Sequence, residues 1–142
     1  MAKLTRREFH ALALATTAGA LLPACGTAFD GTVTEAAGQV VLPFAQFPKL
    51  SAVGGSAVVD VRGSFPIVVV RTGDAAAVTL SATCTHAGCI LRFAPDANDI
   101  HCDCHDANFA LTGAVLSGPT QIPLPVYATT VGADSITVSL AG

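Results

Sequence analysis

From Val40 onward the chain alternates short apolar runs with brief polar breaks, and no run keeps the i, i+3, i+4 spacing of an amphipathic helix. The runs are QVVLPFAQF, SAVVDV, FPIVVVR, AVTLSATC and ILRF, followed by NDIHC, ANFAL, VYATTV and SITVSLAG. Val, Ile and Thr dominate them, and Gly54-Gly55, Gly73-Asp74 and Gly132-Ala133-Asp134 supply turns between them. This rhythm predicts an all-β, antiparallel domain of small stacked sheets, closed by a hairpin of Val126–Val131 with Ser135–Leu140. The stretches Cys84–Cys89 and Cys102–His105 fall where predicted strands end, so both are expected to be loops.

The first 38 residues follow a different pattern. Lys3, Arg6 and Arg7 precede a mild apolar run from Phe9 to Leu22, and small residues then lead to Cys25. That run is too short and too rich in Ala and Thr for a comfortable membrane span of about 20 apolar residues. It reads as an export signal over residues 1–24, and Thr5-Arg6-Arg7-Glu8-Phe9 resembles the twin-arginine type, which carries folded, cofactor-loaded proteins. Leu22-Pro23-Ala24-Cys25-Gly26 resembles a bacterial lipobox, with Pro23 departing from the usual small or β-branched residue. Cys25 is then the expected lipidation site, and residues 25–38, without period, are expected to be a lipid-anchored flexible tether ahead of a domain at 39–142.

Composition narrows the functional classes. The 142 residues leave room for one domain with a single core, 51% hydrophobic and 12% charged. Net charge is −3, and removing Lys3, Arg6, Arg7 and Glu8 with the signal leaves four basic and nine acidic residues, net −5. Without a basic patch, nucleic acid is excluded as a partner, and a neutral or basic protein partner is favoured.

Against this apolar background, HCDCHDANF at 101–109 packs two Cys, two His and two Asp into nine residues. With Cys84-Thr85-His86-Ala87-Gly88-Cys89 it forms a C-x-H and C-x-x-H pair of loops, each with one extra Cys. Structural zinc sites use C-x₂₋₄-C with H-x₃₋₅-H, which does not fit. A plain disulfide framework would not need the histidines, and a thioredoxin-type C-x-x-C ahead of a helix is missing.

The paired loops, with VTLSATCTHAGC before, NFALTGAVLSGP after and PLPVY at the closing hairpin, resemble the Rieske iron–sulfur family over residues 38–141. The resemblance implies one [2Fe-2S] cluster. Cys84 and Cys102 would bind one iron and His86 and His105 the other, each His keeping its second nitrogen for a proton. Cys89 and Cys104 match the pair that forms a loop-joining disulfide in the high-potential branch of the family. Imidazole in place of thiolate makes the cluster less negative, and such centres span about −150 to +300 mV. The implied function is one-electron transfer without a catalytic site of its own, in a membrane-attached, periplasm-facing protein serving a cytochrome or other redox protein.

Two further readings follow from the resemblance: the Rieske subunit of a quinol-oxidising cytochrome bc-type complex, and the small subunit of a molybdenum oxidase of the arsenite oxidase kind. A Rieske oxygenase is excluded for this chain alone, since nothing offers a separate mononuclear iron domain. Oxygenase ferredoxins normally lack the extra cysteine pair.

Four positions depart from the high-potential pattern C-P-C-H-G-S-x-Y. Asp103 stands for Pro, Asp106 for Gly, Ala107 for Ser and Phe109 for Tyr. Loss of two hydroxyl donors and gain of two carboxylates near the site imply a lowered potential, each 1.4 kcal/mol being about 60 mV for one electron. Carboxylates aimed at the ligand rings would also raise their basicity. His101 is expected to be an ordinary strand residue, Ala87 to reduce the apolar docking tip, and Gly88 to supply a special backbone angle. Gly118-Pro119 matches the family turn over the cluster, although Thr120-Gln121 departs from its small-residue continuation.

Overall fold

A computed structural model describes residues 29–141. The expected export signal and the expected lipid site at Cys25 lie outside the described residues. The described residues fold into eleven strands: β1 (Gly31–Thr34), β2 (Gln39–Pro43), β3 (Ser56–Arg62), β4 (Ile67–Gly73), β5 (Ala76–Ser81), β6 (Arg92–Ala94), β7 (Asp99–Cys102), β8 (Ala107–Phe109), β9 (Val115–Ser117), β10 (Val126–Val131) and β11 (Ser135–Ser139). One short 3-10 turn, Pro48–Ser51, lies between β2 and β3.

The strands form a seven-stranded sheet in the order β1-β3-β4-β5-β10-β11-β2 and a four-stranded sheet in the order β6-β7-β8-β9. The all-β expectation holds, and β10 with β11 forms the expected closing hairpin. One pairing departs from it: β1 runs parallel to β3, with Gly31 opposite Val59 and Thr34 opposite Arg62. The expected tether at 25–38 therefore ends earlier than its composition implied. Thr32, Val33 and Thr34 are β-branched, every second residue of β1 turns inward, and the Asp30 carboxylate accepts the Val58 N–H at 2.9 Å. Lys49 pairs with the other Asp30 oxygen at 2.8 Å.

The central strands explain the unbroken apolar runs. Val58, Val68, Val70 and Leu80 face one core, while Ala57, Val59, Val61, Ile67 and Val69 face a second core on the other side of the sheet. A strand buried on both faces reads as a continuous apolar run instead of an alternating one. The second core is completed by Val40, Leu42, Phe47, Leu50, Ile136 and Val138. The first core is completed by Leu91, Ile100, Phe109 and Leu124, and it contains Cys84 and Cys102. The two thiols thus belong to the hydrophobic wall between the sheets.

Candidate metal centre

The first loop leaves the end of β5 and returns to β6 as a tight, self-closed excursion. Leu91 N–H donates to Ala82 O at 2.7 Å, Cys84 N–H to Cys89 O at 2.8 Å and Gly88 N–H to Cys84 O at 2.9 Å. Gly88 closes it at φ +74°, the left-handed angle expected from the sequence. Cys84 at the base is buried, whereas His86 and Ala87 are exposed at the tip.

The second loop joins β7 to β8. Cys102, the last residue of β7, is fully buried, and Cys104 and His105 are exposed. Asp106 turns the chain with φ +53°, a left-handed conformation that glycine adopts without steric cost and aspartate tolerates. Cys89 and Cys104 form a disulfide that joins the two loops. This leaves Cys84 and Cys102 as the free thiols among the described residues.

The resulting arrangement has two buried thiols behind two exposed imidazoles. The His86 and His105 rings meet edge to face, centroids 4.6 Å apart. Burial pushes the Cys102 thiol pKa up; the backbone N–H groups of Cys104 and His105 face it and act in the opposite sense. Sulfurs of Cys89 and Cys102 and a ring nitrogen of His105 lie within 4.8 Å of one another. Cys89, spent in the disulfide, offers no thiolate, so the loop-1 sulfur fit for metal is that of Cys84. Two thiols and two imidazoles, on loops covalently held together, match the donor set of a cluster with one all-sulfur iron and one histidine iron.

A third segment covers the site. Gly118, at φ +106°, lies so close over Ala107 that an added Cβ would stand 2.6 Å from the Ala107 Cα. Ala107 and Phe109 are fully buried, so the two positions that carry hydroxyls in the high-potential pattern present only carbon here. Downstream, Thr120 is buried and bonded to loop 1 through Thr85, a contact with no local sequence signal.

The Asp103 carboxylate meets the four-stranded sheet. Asp103 accepts Arg92 Nε at 2.8 Å and Arg92 Nη2 at 2.8 Å, and lies 3.2 Å from His101 Nε2. The Arg92 guanidinium holds its carboxyl below the usual range. Its partners are thus Arg92 and His101, not the rings of His86 and His105, and its charge is matched by a cation 11 residues away in the sequence. Asp106 is exposed to solvent. His101 is a strand residue as expected, with Nδ1 2.7 Å from Asn108 Oδ1.

Comparison with known proteins agrees with this geometry. The family model of the Rieske [2Fe-2S] domain matches residues 40–128. A cytochrome b6-f complex iron-sulfur subunit of Chlorobaculum thiosulfatiphilum is 40% identical over 75 residues, 53% of this chain and 41% of that protein. The corresponding subunit of Synechococcus sp. (strain JA-3-3Ab) is 27% identical over 82% of this chain and 69% of its own length. The chain thus matches under half the length of the first of these relatives. Among solved structures, the cyanobacterial plasma membrane Rieske protein PetC3 from Synechocystis PCC 6803 superposes with a TM-score of 0.57 at 30% identity, over 70% of this chain and 98% of that one. The ferredoxin of carbazole 1,9a-dioxygenase from Nocardioides aromaticivorans IC177 gives 0.57 at 26% identity, over 71% of this chain and 96% of its own. Matched by that family's model over residues 40–128, and carrying two buried free thiols, two exposed imidazoles and a loop-joining disulfide among its described residues, this chain belongs to the Rieske [2Fe-2S] family.

Proposed function

We propose that Cys84 and Cys102 hold one iron and His86 and His105 the other, and that the chain passes single electrons between redox proteins at a membrane surface on the periplasmic side. The observation that carries this reading is the division of the donors: both free thiols of the described residues are buried in the core, and the His86 and His105 imidazoles stand exposed, their centroids 4.6 Å apart. When bound, the cluster supplies a one-electron couple. The chain's own residues do the rest. The core around Cys84 and Cys102 excludes water from the sulfur side, while His86 and His105 offer the shortest exit toward a partner and keep a ring nitrogen each for a proton. Twin-arginine export and a lipid on Cys25 complete the proposal, placing the domain on a short leash at the membrane.

The potential is set below that of quinol-oxidising relatives. Ala107 and Phe109 are buried without hydroxyls, so the donors that favour the reduced, more negative state are missing. Asp103 adds less to this lowering than its charge alone implies, because Arg92 matches it. Protein-film voltammetry tests the reading: Ala107→Ser with Phe109→Tyr raises the potential by about 100 mV, roughly 60 mV per 1.4 kcal/mol of restored hydrogen bonding. A wild-type value near +300 mV, the top of the family range, would overturn it.

The alternative, a Rieske subunit of a quinol-oxidising cytochrome complex, is favoured by the names of the relatives, which are cytochrome b6-f subunits. Association with a cytochrome b on gentle detergent extraction, together with a high potential, would select it.

A further inference from the structure

One transverse row of the four-stranded sheet is polar on every strand. Arg92 of β6 stands opposite His101 of β7, His101 opposite Asn108 of β8, and Asn108 opposite Ser117 of β9. The adjacent row holds Phe93, Ile100 and Phe109, of which Ile100 and Phe109 are fully buried in the core. Alternation puts the polar row on the opposite, outer face. Its side chains are joined: His101 Nδ1 lies 2.7 Å from Asn108 Oδ1, and Asn108 Nδ2 donates to Ser117 Oγ at 2.9 Å.

Onto this row falls a residue of the second loop. Asp103 follows Cys102 directly, and its two oxygens accept from Arg92 Nε and Nη2, both at 2.8 Å, with His101 Nε2 3.2 Å away. An arginine fork on a carboxylate fixes orientation as well as charge. The pair is 43% and 54% exposed, so its contribution to folding is small. A charge beside a redox centre acts differently: it changes the free energy of adding an electron whether or not it stabilises the fold.

We infer that Arg92 is a positioning residue for the cluster: its fork anchors the second loop to the polar row through Asp103 and cancels the carboxylate charge there, which sets the potential. The inference rests on the reading that Cys102 and His105 bind iron. Asp103 and Arg92 are fixed charges in it, and no proton moves.

The test is a charge cycle in cluster-loaded protein, read by film voltammetry and by the EPR spectrum of the reduced state. Arg92→Gln exposes an unmatched carboxylate and shifts the electron-transfer equilibrium against a fixed-potential partner threefold to tenfold toward the oxidised form, up to 59 mV. Asp103→Asn leaves the guanidinium unmatched and shifts it equally far toward the reduced form. The double variant returns to within twofold of wild type. Arg92→Lys keeps the charge and loses the fork, so the potential holds while the EPR line broadens. Single-variant shifts under twofold, or a double variant that does not return, overturn the inference. Asp103→Asn alone decides the sign should Arg92→Gln fail to load. Wild-type protein without a histidine-ligated cluster signal would overturn the ligand reading instead, a distinct outcome.

Discussion

The Thr85 hydroxyl lies 3.0 Å from the Thr120 hydroxyl and donates to Ile122 O at 2.8 Å, while Ile122 N–H donates to Thr120 Oγ1 at 3.1 Å. With one hydrogen per hydroxyl, Thr120 donates to Thr85 and the four groups close a ring between the first loop and the segment over the site. Thr120→Val keeps the shape and leaves the Thr85 oxygen and the Ile122 N–H without this partner, at a cost of about 1–3 kcal/mol. The expected result is a lower thermal midpoint and several-fold faster bleaching of the cluster absorbance at fixed temperature. Unchanged bleaching would show that the ring does not hold the loop.

Gly118→Ala tests the close approach above Ala107. The new Cβ meets main chain, the Ala107 Cα at 2.6 Å, and φ +106° is unfavourable for any side chain. Both effects point the same way, with an expected loss of about 2–4 kcal/mol in denaturant unfolding. Adding Ala107→Gly does not restore stability, because the contact with the Cα remains. Full rescue by that double variant would contradict the geometry.

The disulfide spans a sequence separation of 15. In the chain-entropy picture a loop of that length is worth about 3 kcal/mol. Replacing both Cys89 and Cys104 by Ala should lower the unfolding free energy by that order and make the protein insensitive to added reductant. A loss under about 1 kcal/mol would assign the loops' rigidity to the cores beneath them.

Acid should weaken the Arg92–Asp103 pair in a predictable direction. Arg92 depresses the Asp103 carboxyl, so the pair's contribution is complete above the ordinary carboxylate pKa of about 3.9 and fades as pH falls through the lowered value. Asp103→Asn therefore flattens the acid limb of a stability–pH curve. The change is small, since the carboxylate is more than half exposed.

Much of this was legible in the chain, for physical reasons that also mark where legibility stops. Val58–Val59 and Val68–Val70 read as strands because burial on both faces demands unbroken apolar runs. The loops were legible because few sites need thiol and imidazole at such spacings, and the Cys89–Cys104 pairing implied by family resemblance is present. β1 was hidden because Gly31–Thr34 is short and flanked directly by the charged Asp30 and Glu35; its parallel partner lies 28 positions downstream. β9 escaped notice for the same brevity. Arg92 and Asp103 are 11 residues apart and meet only because β6 pairs with β7. Thr85 and Thr120 are 35 apart. Charge and hydroxyl pairing across strands leaves no periodic trace, so the loop carboxylate was legible and its partner was not.

The most direct test of the central claim is pulsed EPR on anaerobically purified, reduced protein, with iron and acid-labile sulfide assayed on the same sample. The account predicts equal iron and sulfide and hyperfine couplings from two imidazole nitrogens, one lost in His86→Ser and the other in His105→Ser. Zinc in place of iron, or a cluster signal without nitrogen coupling, would contradict it.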